Sequence, residues 1–260
     1  MKSYNLINGN FVSMDHSRHI ESITISNGKI ENINSINQQY KSIDLSGLTI
    51  IPGFIDAHFH LKNFGKRLEM LNLKQINSTQ EIQQLIKNKL ANLKPNDWLI
   101  GFGWDQNLWN NKQYPTKNIL DKIAPNNPIY LTRIDGHSAW VNNIAIQKTG
   151  LTINQINNVD GSRVINDCIM VDNAMNCFKN YLPTDTKEQV KSWIKTAIKE
   201  ANKMGITGVH DAWQDATTVE AVKELIQENK FSIRCYGMLG SNDNDLLEHY
   251  FSKGHYENGH

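Results

Sequence analysis

Residues 56–60 carry polar side chains at alternate positions, which is a pattern that could bind a metal ion. Asp56, His58 and His60 follow an apolar run over residues 49–55. Side chains of a strand alternate between its two faces, so these three would share one face at the strand's end. Two neutral imidazoles in this arrangement can bind one metal ion, and a bound ion generates a nucleophilic water near neutral pH. Neutral imidazoles suit zinc, iron or nickel, so the pattern is compatible with a divalent metal site, with zinc as the expected ion.

His58 and His60 are the predicted ligands, and Asp56 is predicted to support them through hydrogen bonding. The alternative is a pair of hydrogen-bonded histidines that only close the strand, with Asp56 as a cap. The sequence pattern leaves both interpretations open.

Further polar or aromatic residues stand where other strands are expected to end, so they could contact a substrate or support the metal site. These residues are Trp104, Asp105, Asp135, His137, His210 and Asp211. Most of them have a structural alternative. Trp104 could be ordinary packing, Asp135 and His137 could form a turn and helix cap around Gly136, and His210 and Asp211 could belong to a simple strand-to-helix turn. The histidines in polar surroundings are expected at the surface. They are His16, His19, His249, His255 and His260.

Two kinds of segment follow one another along the chain. Residues 1–50 are expected to form short strands. They contain two Asn-Gly pairs, Asn8-Gly9 and Asn27-Gly28. Each pair predicts a hairpin, because a type I′ turn needs positive φ at both central residues. After residue 50, strands alternate with helices, which indicates βαβ units and a parallel sheet.

The elements expected after residue 50 can be stated by range. Strands are expected at residues 49–55, 128–132, 206–209 and 231–239, and the first of them should be buried on both faces. Helices are expected at residues 78–90, 185–204, 218–228 and from 243, with another running through Trp140 to Gly150, and residues 154–158 should form an exposed loop. About four strands are too few for a closed barrel of eight, so the sheet is open or the chain is incomplete.

Composition excludes several classes of function. The chain has 260 residues and a net charge of +1, with no block of Lys or Arg, which argues against a nucleic-acid partner. No apolar run approaches the length of a membrane span, and the first nine residues lack a signal-peptide core, so the cytoplasm is the expected location. The three cysteines are odd in number and lack metal-ligand spacing, so they are expected to be reduced thiols.

The segment around the histidine pair resembles a family signature. Pro52 and Gly53, two apolar residues and then Asp56, His58 and His60 follow the pattern with which the first barrel strand of the amidohydrolase superfamily ends. The segments at residues 101–107, 120–125, 133–142 and 205–212 resemble the amidohydrolase-3 branch, which includes N-substituted formamide deformylases, and they occur in family order.

This resemblance implies a fold in two parts: a (β/α)₈ barrel of the TIM type and a β-sandwich built from both chain ends. Residues 1–50 would be the N-terminal sandwich portion and residues 51–260 the first half of the barrel. The resemblance also places the remaining metal and catalytic groups beyond the point that matches residue 260, so the chain resembles a truncated enzyme.

The implied activity is hydrolysis of a non-peptide carbon–nitrogen bond by a metal-activated water, on a small-molecule amide or formamide-type substrate. The expected protein partner is a complementary C-terminal half or a second copy of the chain. The alternative is a catalytically inactive remnant, or a fragment that works only with a complementary chain.

Overall fold

A computed structural model of the chain describes residues 3–14 and 19–254. The strands of these residues, in chain order, are β1 Tyr4–Ile7, β2 Asn10–Phe11, β3 Ser22–Ser26, β4 Lys29–Ile33, β5 Lys41–Asp44, β6 Thr49–Ile50, β7 Phe54–Phe59, β8 Leu71–Asn72, β9 Leu99–Trp104, β10 Ile129–Arg133, β11 Ser138–Val141, β12 Ser162–Ile165, β13 Ile169–Asp172, β14 Ile206–Gln214 and β15 Arg234–Leu239.

The α-helices of the same residues are α1 Leu61–Glu69, α2 Thr79–Leu90, α3 Lys117–Ile123, α4 Asn143–Thr149, α5 Ile153–Asn157, α6 Asn173–Asn176, α7 Lys187–Lys203, α8 Ala216–Gln227 and α9 Asn244–Lys253. A single 3-10 turn at Gln106–Leu108 follows β9. Within the described ranges, no helix combines the length and the apolar composition needed to cross a bilayer.

The described residues among the first fifty form two small sheets. One has the strand order β4-β3-β1-β5, and the other pairs β2 with β6. The hairpin predicted at Asn27-Gly28 is confirmed: β3 and β4 are antiparallel, and both turn residues have positive φ. The hairpin predicted at Asn8-Gly9 is wrong, because β1 pairs with β3 and β5 while β2 pairs with β6. Asn8 has positive φ and Gly9 does not, so the chain passes from one sheet to the other there.

A three-stranded parallel sheet with the order β15-β14-β7 carries the segment of the histidine pair. Helices α1, α7 and α8 cover one of its faces, and their apolar side chains share a core with Phe59 and Val209 of the strands. Helix α7 fits this position because its buried residues form one stripe and a capping box at Thr186 and Gln189 fixes its start. The predicted alternation of parallel strands and helices is therefore present here.

A mixed six-stranded sheet lies between β7 and β14 in the sequence. Its order is β12-β13-β11-β10-β9-β8, with β8, β9 and β10 parallel and the others antiparallel. Successive residues of β10 enter different cores: Leu131 packs with Trp104 and Trp140, whereas Tyr130 packs with Phe178. The sheet is thus covered by apolar side chains on both faces.

Several expectations for this part of the chain are wrong. Trp140 lies on strand β11, not on a helix, and α4 begins only after Asn142. Residues 154–158 are mostly the short helix α5, because Thr152 and Gln155 form a capping box. The estimate of four strands is too low, since β8, β9 and β11–β13 are short or contain glycine and gave no clear apolar alternation.

Strand β7 is not buried on both faces as expected. It is an edge strand of its sheet in the described structure, and Phe54 and Ile55 are 55% and 59% exposed. The segment is apolar as predicted, but β14 is the one strand that pairs with it among the described residues.

Candidate active site

The two predicted ligand histidines lie side by side at the carboxyl end of β7. The ring centroids of His58 and His60 are 5.0 Å apart, with an angle of 82° between the planes. His60 is the residue immediately before α1, so its ring stands at the junction of strand and helix. The structure therefore brings the pair together, as strand alternation predicts.

A single hydrogen bond orients His60. Its Nδ1 lies 2.9 Å from the carbonyl oxygen of Ala212 on β14. A carbonyl only accepts, so Nδ1 must carry the hydrogen, and the neutral ring then keeps its lone pair on Nε2. This is the arrangement in which histidine ligands usually occur, with the nitrogen that does not bind the metal donating to an oxygen.

Asp56 does not contact either imidazole in the hydrogen bonds of the described residues. Its Oδ1 accepts from the backbone N–H of His58 at 3.0 Å, which ties the carboxylate to the end of its own strand. This contact matches the cap alternative, while the predicted support of a metal ligand stays a prediction.

The two histidines supply some of the ligands that a metal ion needs. His58 and His60 fit two positions of a coordination sphere, because the rings are adjacent and Nε2 of His60 is free of the hydrogen bond to Ala212. Zinc sites usually have three or four protein ligands. Within the described residues, no group of three or more His, Cys, Asp or Glu side chains could hold an ion. The pair therefore fits part of a metal site.

Asp211 connects β14 to the residue next to His60. Its Oδ1 accepts from the backbone N–H of Leu61 at 2.7 Å, and its Oδ2 accepts from Nε2 of Gln214 at 2.7 Å. Burial raises the pKa of this carboxyl, and the hydrogen bonds from Gln214 and Leu61, which lower the pKa, only partly offset it. The carboxylate thus fixes the start of α1 and with it the backbone at His60.

His210 lies on the face of the three-stranded sheet that the helices leave uncovered. Val209 and Asp211 are buried on the helix side, so the side chain between them points the other way. Its ring packs against Tyr236 of β15, with centroids 5.3 Å apart. Phe59 also faces the helices, so alternation places His58 and His60 on the same uncovered face as His210.

A cavity of about 200 Å³ adjoins His60 where α1 and α8 begin. Lys62 lines it, and its Nζ lies 2.8 Å from Oδ2 of Asp215 and 3.3 Å from Oδ2 of Asp185. Burial opposes the charged form of Lys62, but these carboxylates outweigh it and raise the pKa of the amine. The other lining residues are Asn63, Asp211, Ala212, Trp213, Gln214, Asp215 and Thr218.

The remaining predicted site residues lie at or just beyond the strand ends of the six-stranded sheet. Arg133 joins Asp105 and Asp135: its Nη2 is 3.2 Å from Oδ1 of Asp105, and its Nη1 bonds Oδ2 of Asp135. His137 is exposed, and its Nδ1 lies 3.1 Å from Oδ1 of Asp172. In the described part of the chain, no hydrogen bond or ion pair joins this group to His58 or His60.

Trp104 is part of the core. Its side chain is fully buried, and its Nε1 donates to the carbonyl oxygen of Leu131 at 2.7 Å. The packing alternative therefore accounts for this residue, and nothing in the structure places its ring in the cavity beside His60.

The remaining histidines were predicted at the surface, and the cysteines were predicted to be reduced thiols. His19 and His249 are exposed, as predicted, while His16, His255 and His260 lie outside the described residues. Cys168, Cys177 and Cys235 are free thiols, and burial raises the pKa of Cys168 and Cys235 to about 12.

Sequence patterns missed most residues of the cavity, among them Lys62, Trp213 and Gln214. No sequence pattern marks Gln214, because its part in the site depends on the hydrogen bond to Asp211. The nine-residue length of β14 and its register shift between Asp211 and Gln214 are features of tertiary structure that a short apolar run at residues 206–209 does not reveal.

Parallel strands joined by helices, with a histidine pair at the carboxyl end of one strand, define an α/β protein of the kind that places its chemistry at strand ends. The Amidohydro_3 model, described as the amidohydrolase family, matches residues 41–259, and the chain belongs to this family. The family resemblance expected from the motifs is confirmed.

Two relatives illustrate how much of a longer protein this chain matches. The protein YtcJ of Bacillus subtilis is 28% identical over 245 residues, which are 87% of this chain and 46% of that protein. The N-substituted formamide deformylase of Arthrobacter pascens is 26% identical over 161 residues, which are 58% of this chain and 30% of that protein. The chain thus spans about half the length of YtcJ.

A solved structure shares the fold. The uncharacterized metal-dependent hydrolase from Pyrococcus furiosus has a TM-score of 0.79 and 24% identity, and the match covers 99% of this chain and 54% of that chain. The corresponding protein from Pyrococcus horikoshii OT3 has a TM-score of 0.76 and 22% identity, with 98% and 52% coverage.

Proposed function

We propose that this chain supplies the histidine-bearing half of a metal-dependent amidohydrolase, which hydrolyses a non-peptide carbon–nitrogen bond. The observation that carries the proposal is the pairing of His58 with His60, whose Nδ1 is bonded to Ala212 so that Nε2 is available. Family membership supports the reaction class, and the names of the relatives from Arthrobacter and Pyrococcus agree with it.

The architecture that we propose for the whole protein is a (β/α)₈ barrel of the TIM type, in which β7, β14 and β15 are the first three strands. Their parallel order and the helices on one face support this assignment. Residues 1–50 would then belong to a β-sandwich and residues 51–260 to the barrel with the six-stranded sheet as an insertion. Exposed Phe54 and Ile55 on β7 would pack against the rest of the barrel.

We assign His58 and His60 as two ligands of a divalent metal, with zinc as the expected ion. When bound, such an ion lowers the pKa of water and polarises a carbonyl. In this chain Ala212 orients the His60 ring, and Asp211 fixes the backbone beside it. Both carboxylate oxygens of Asp211 accept hydrogen bonds, so we assign proton transfer to a carboxylate outside these 260 residues.

The expected substrate is a small, uncharged amide or formamide. The cavity beside His60 supports this class, because the one amine that lines it, Lys62, is already paired with Asp185 and Asp215. The proposed partner is the complementary part of the barrel, and the proposed location is the cytoplasm.

A second candidate is a non-catalytic fragment that only binds a complementary chain. The observation in its favour is the exposed edge strand β7, with apolar Phe54 and Ile55 at the surface, because such an edge can pair with another strand.

Zinc titration of the purified chain tests the metal site. We expect weak zinc binding that is lost in the double variant His58→Ala/His60→Ala and kept in His249→Ala, an exposed histidine elsewhere. Equal zinc binding by the double variant and the unsubstituted chain would reject the assignment of the ligands.

Hydrolysis assays test the reaction. The chain alone should not hydrolyse simple formamides or amides, since two ligands cannot complete a catalytic zinc site. Co-expression with the part of YtcJ that lies outside the match should restore turnover that chelation removes. Turnover that survives full removal of metal would rule out the metal-dependent mechanism, and no turnover in any combination would favour the non-catalytic fragment.

A further inference from the structure

Trp213 has a backbone conformation that large side chains rarely adopt. Its φ is +66°, in the left-handed region that favours glycine, and it lies near the end of β14. A bulky residue in this region is strained, and such strain persists only where surrounding contacts fix the backbone. The position next to Ala212, which orients His60, makes this strain relevant to the site.

The backbone on both sides of Trp213 is held by specific bonds. Ala212 accepts from His60, and the carbonyl of Gln214 accepts from the N–H of Gly240 at 2.9 Å. The side chain of Gln214 is buried and bonded to Asp211. The register of β14 against β15 shifts between Asp211 and Gln214, so one strand bulges where Trp213 stands.

Trp213 makes little packing contact that could offset this backbone strain. Trp213 is 62% exposed, although tryptophan is among the side chains that gain most from burial. One edge of the indole lies over Gly240, where an added Cβ would come within 3.2 Å of the ring. Trp213 is also one of the residues that line the cavity beside His60. Packing within the described chain therefore does not account for a tryptophan at this position.

The charged groups around the indole are already paired. Lys62 is bonded to Asp185 and Asp215, and both oxygens of Asp211 accept hydrogen bonds. Neither a free cation nor a free anion from these groups faces the cavity, so the aromatic face of Trp213 is the recognition surface that they leave. Such a face favours planar aromatic groups, which stack against it.

We propose that Trp213 determines substrate specificity by stacking against a planar aromatic group of the substrate beside His60. This inference rests on the proposed function for the identity of the substrate as an amide, but the stacking itself requires neither metal nor turnover. The bulge in β14 serves to present the indole, and the backbone strain is the consequence of that placement.

The test compares two probes of similar size, N-phenylformamide and N-cyclohexylformamide, of which only the first has a planar ring. Their dissociation constants are measured by saturation-transfer NMR on the full chain with metal removed. Variants are Trp213→Gly, which relieves the positive φ, and Trp213→Phe, which keeps a planar ring. Tyr181→Ala is the control, because Tyr181 is an exposed aromatic residue that does not line the cavity.

We expect the unsubstituted chain to bind the phenyl probe about three- to tenfold more tightly than the cyclohexyl probe. Trp213→Gly should abolish this preference while its melting temperature stays the same or rises by about 2–4 °C. Trp213→Phe and Tyr181→Ala should keep most of the preference.

Two results would overturn the inference. One is equal binding of both probes by the unsubstituted chain. The other is a Trp213→Gly variant that melts several degrees lower and keeps the preference, which would make Trp213 a structural residue. A confirmed preference without hydrolysis by any complemented form would leave the stacking intact and reject the proposed function, so the two failures can be told apart.

Discussion

The imidazole Nδ1 of His60 lies 2.9 Å from the carbonyl oxygen of Ala212, a residue 152 positions later in the chain. The bond fixes both the tautomer and the direction of the ring, so the histidine is oriented before any ligand arrives. The same two strands are joined by the bond from the N–H of Leu61 to Asp211. The candidate site is therefore a junction between β7 and β14, and predictions about it can separate ring orientation from metal binding.

His60→Asn should weaken zinc binding by at least about tenfold with little change in stability. The Asn amide can donate to Ala212 much as Nδ1–H does, but it offers no nitrogen in the place of Nε2. Zinc titration and urea unfolding measure the two effects. If His60→Asn binds zinc as well as the unsubstituted chain, Nε2 is not a ligand.

Gly65→Ala should destabilise the fold by about 1–3 kcal/mol. A Cβ at residue 65 would lie 1.9 Å from the backbone oxygen of Trp193, so α1 would have to move away from α7. At an open position in a helix the same change stabilises by up to about 1 kcal/mol. The sign of the change in unfolding free energy therefore shows whether α1 and α7 approach this closely.

Urea unfolding measures this change, and Leu68→Ala, an exposed position on the same helix, is its control. A neutral or stabilising Gly65→Ala would contradict the close approach of α1 to α7.

Trp104→Ala should cost about 3–5 kcal/mol of unfolding free energy and leave zinc and probe binding unchanged in the folded protein. The side chain is fully buried and bonded to Leu131, so its loss leaves a cavity and removes that hydrogen bond. The half-exposed Leu108→Ala is the nearby control. A small loss of stability with a large loss of probe binding would favour the substrate-contact alternative for Trp104.

Asp215→Asn should destabilise by about 0.5–1 kcal/mol at neutral pH, and the difference should shrink in acid. Burial of Asp215 favours the neutral acid, but hydrogen bonds from Lys62 and Thr218 outweigh it and lower the pKa below 3.8. A lowered pKa contributes stability above the unfolded value, and this stability is lost as the pH falls through the folded value.

Asn keeps the helix cap at Thr218, so only the charge is removed. Urea unfolding at about pH 7 and about pH 3 gives the comparison. The same difference at both pH values would show that the ion pair with Lys62 is not its source.

The sequence predicted elements wherever local patterns and burial agree. Helix α7 and the turn at Asn27-Gly28 follow from periodicity and turn chemistry alone. The prediction of a hairpin at Asn8-Gly9 was wrong because the same dipeptide can also place a single left-handed residue between two sheets. The prediction of a helix at Trp140 was wrong because an apolar residue in a short segment is compatible with strand or helix. Pairing with the neighbouring strands β10 and β13 makes this segment a strand.

The candidate site was predictable only in part, for a related reason. His58 and His60 share a face through alternation within one strand, which is a local property. The groups that position His60 come from a strand about 150 residues away in sequence, and they are Ala212, Asp211 and Gln214. Trp213 gives no signal at all, since its position depends on the register shift between β14 and β15.

The pairing of β7 with β14 has a consequence for the order of folding. These neighbours enclose the whole six-stranded sheet in sequence, and folding slows as contacts become more distant along the chain. The six-stranded sheet has its own cores on both faces, so it can consolidate without β7. We expect the ring of His60 to reach its final orientation late, when β14 docks. In a stopped-flow refolding experiment, competence to bind zinc should then lag behind the burial of Trp104 and Trp140, and simultaneous appearance would show that the two sheets fold as one unit.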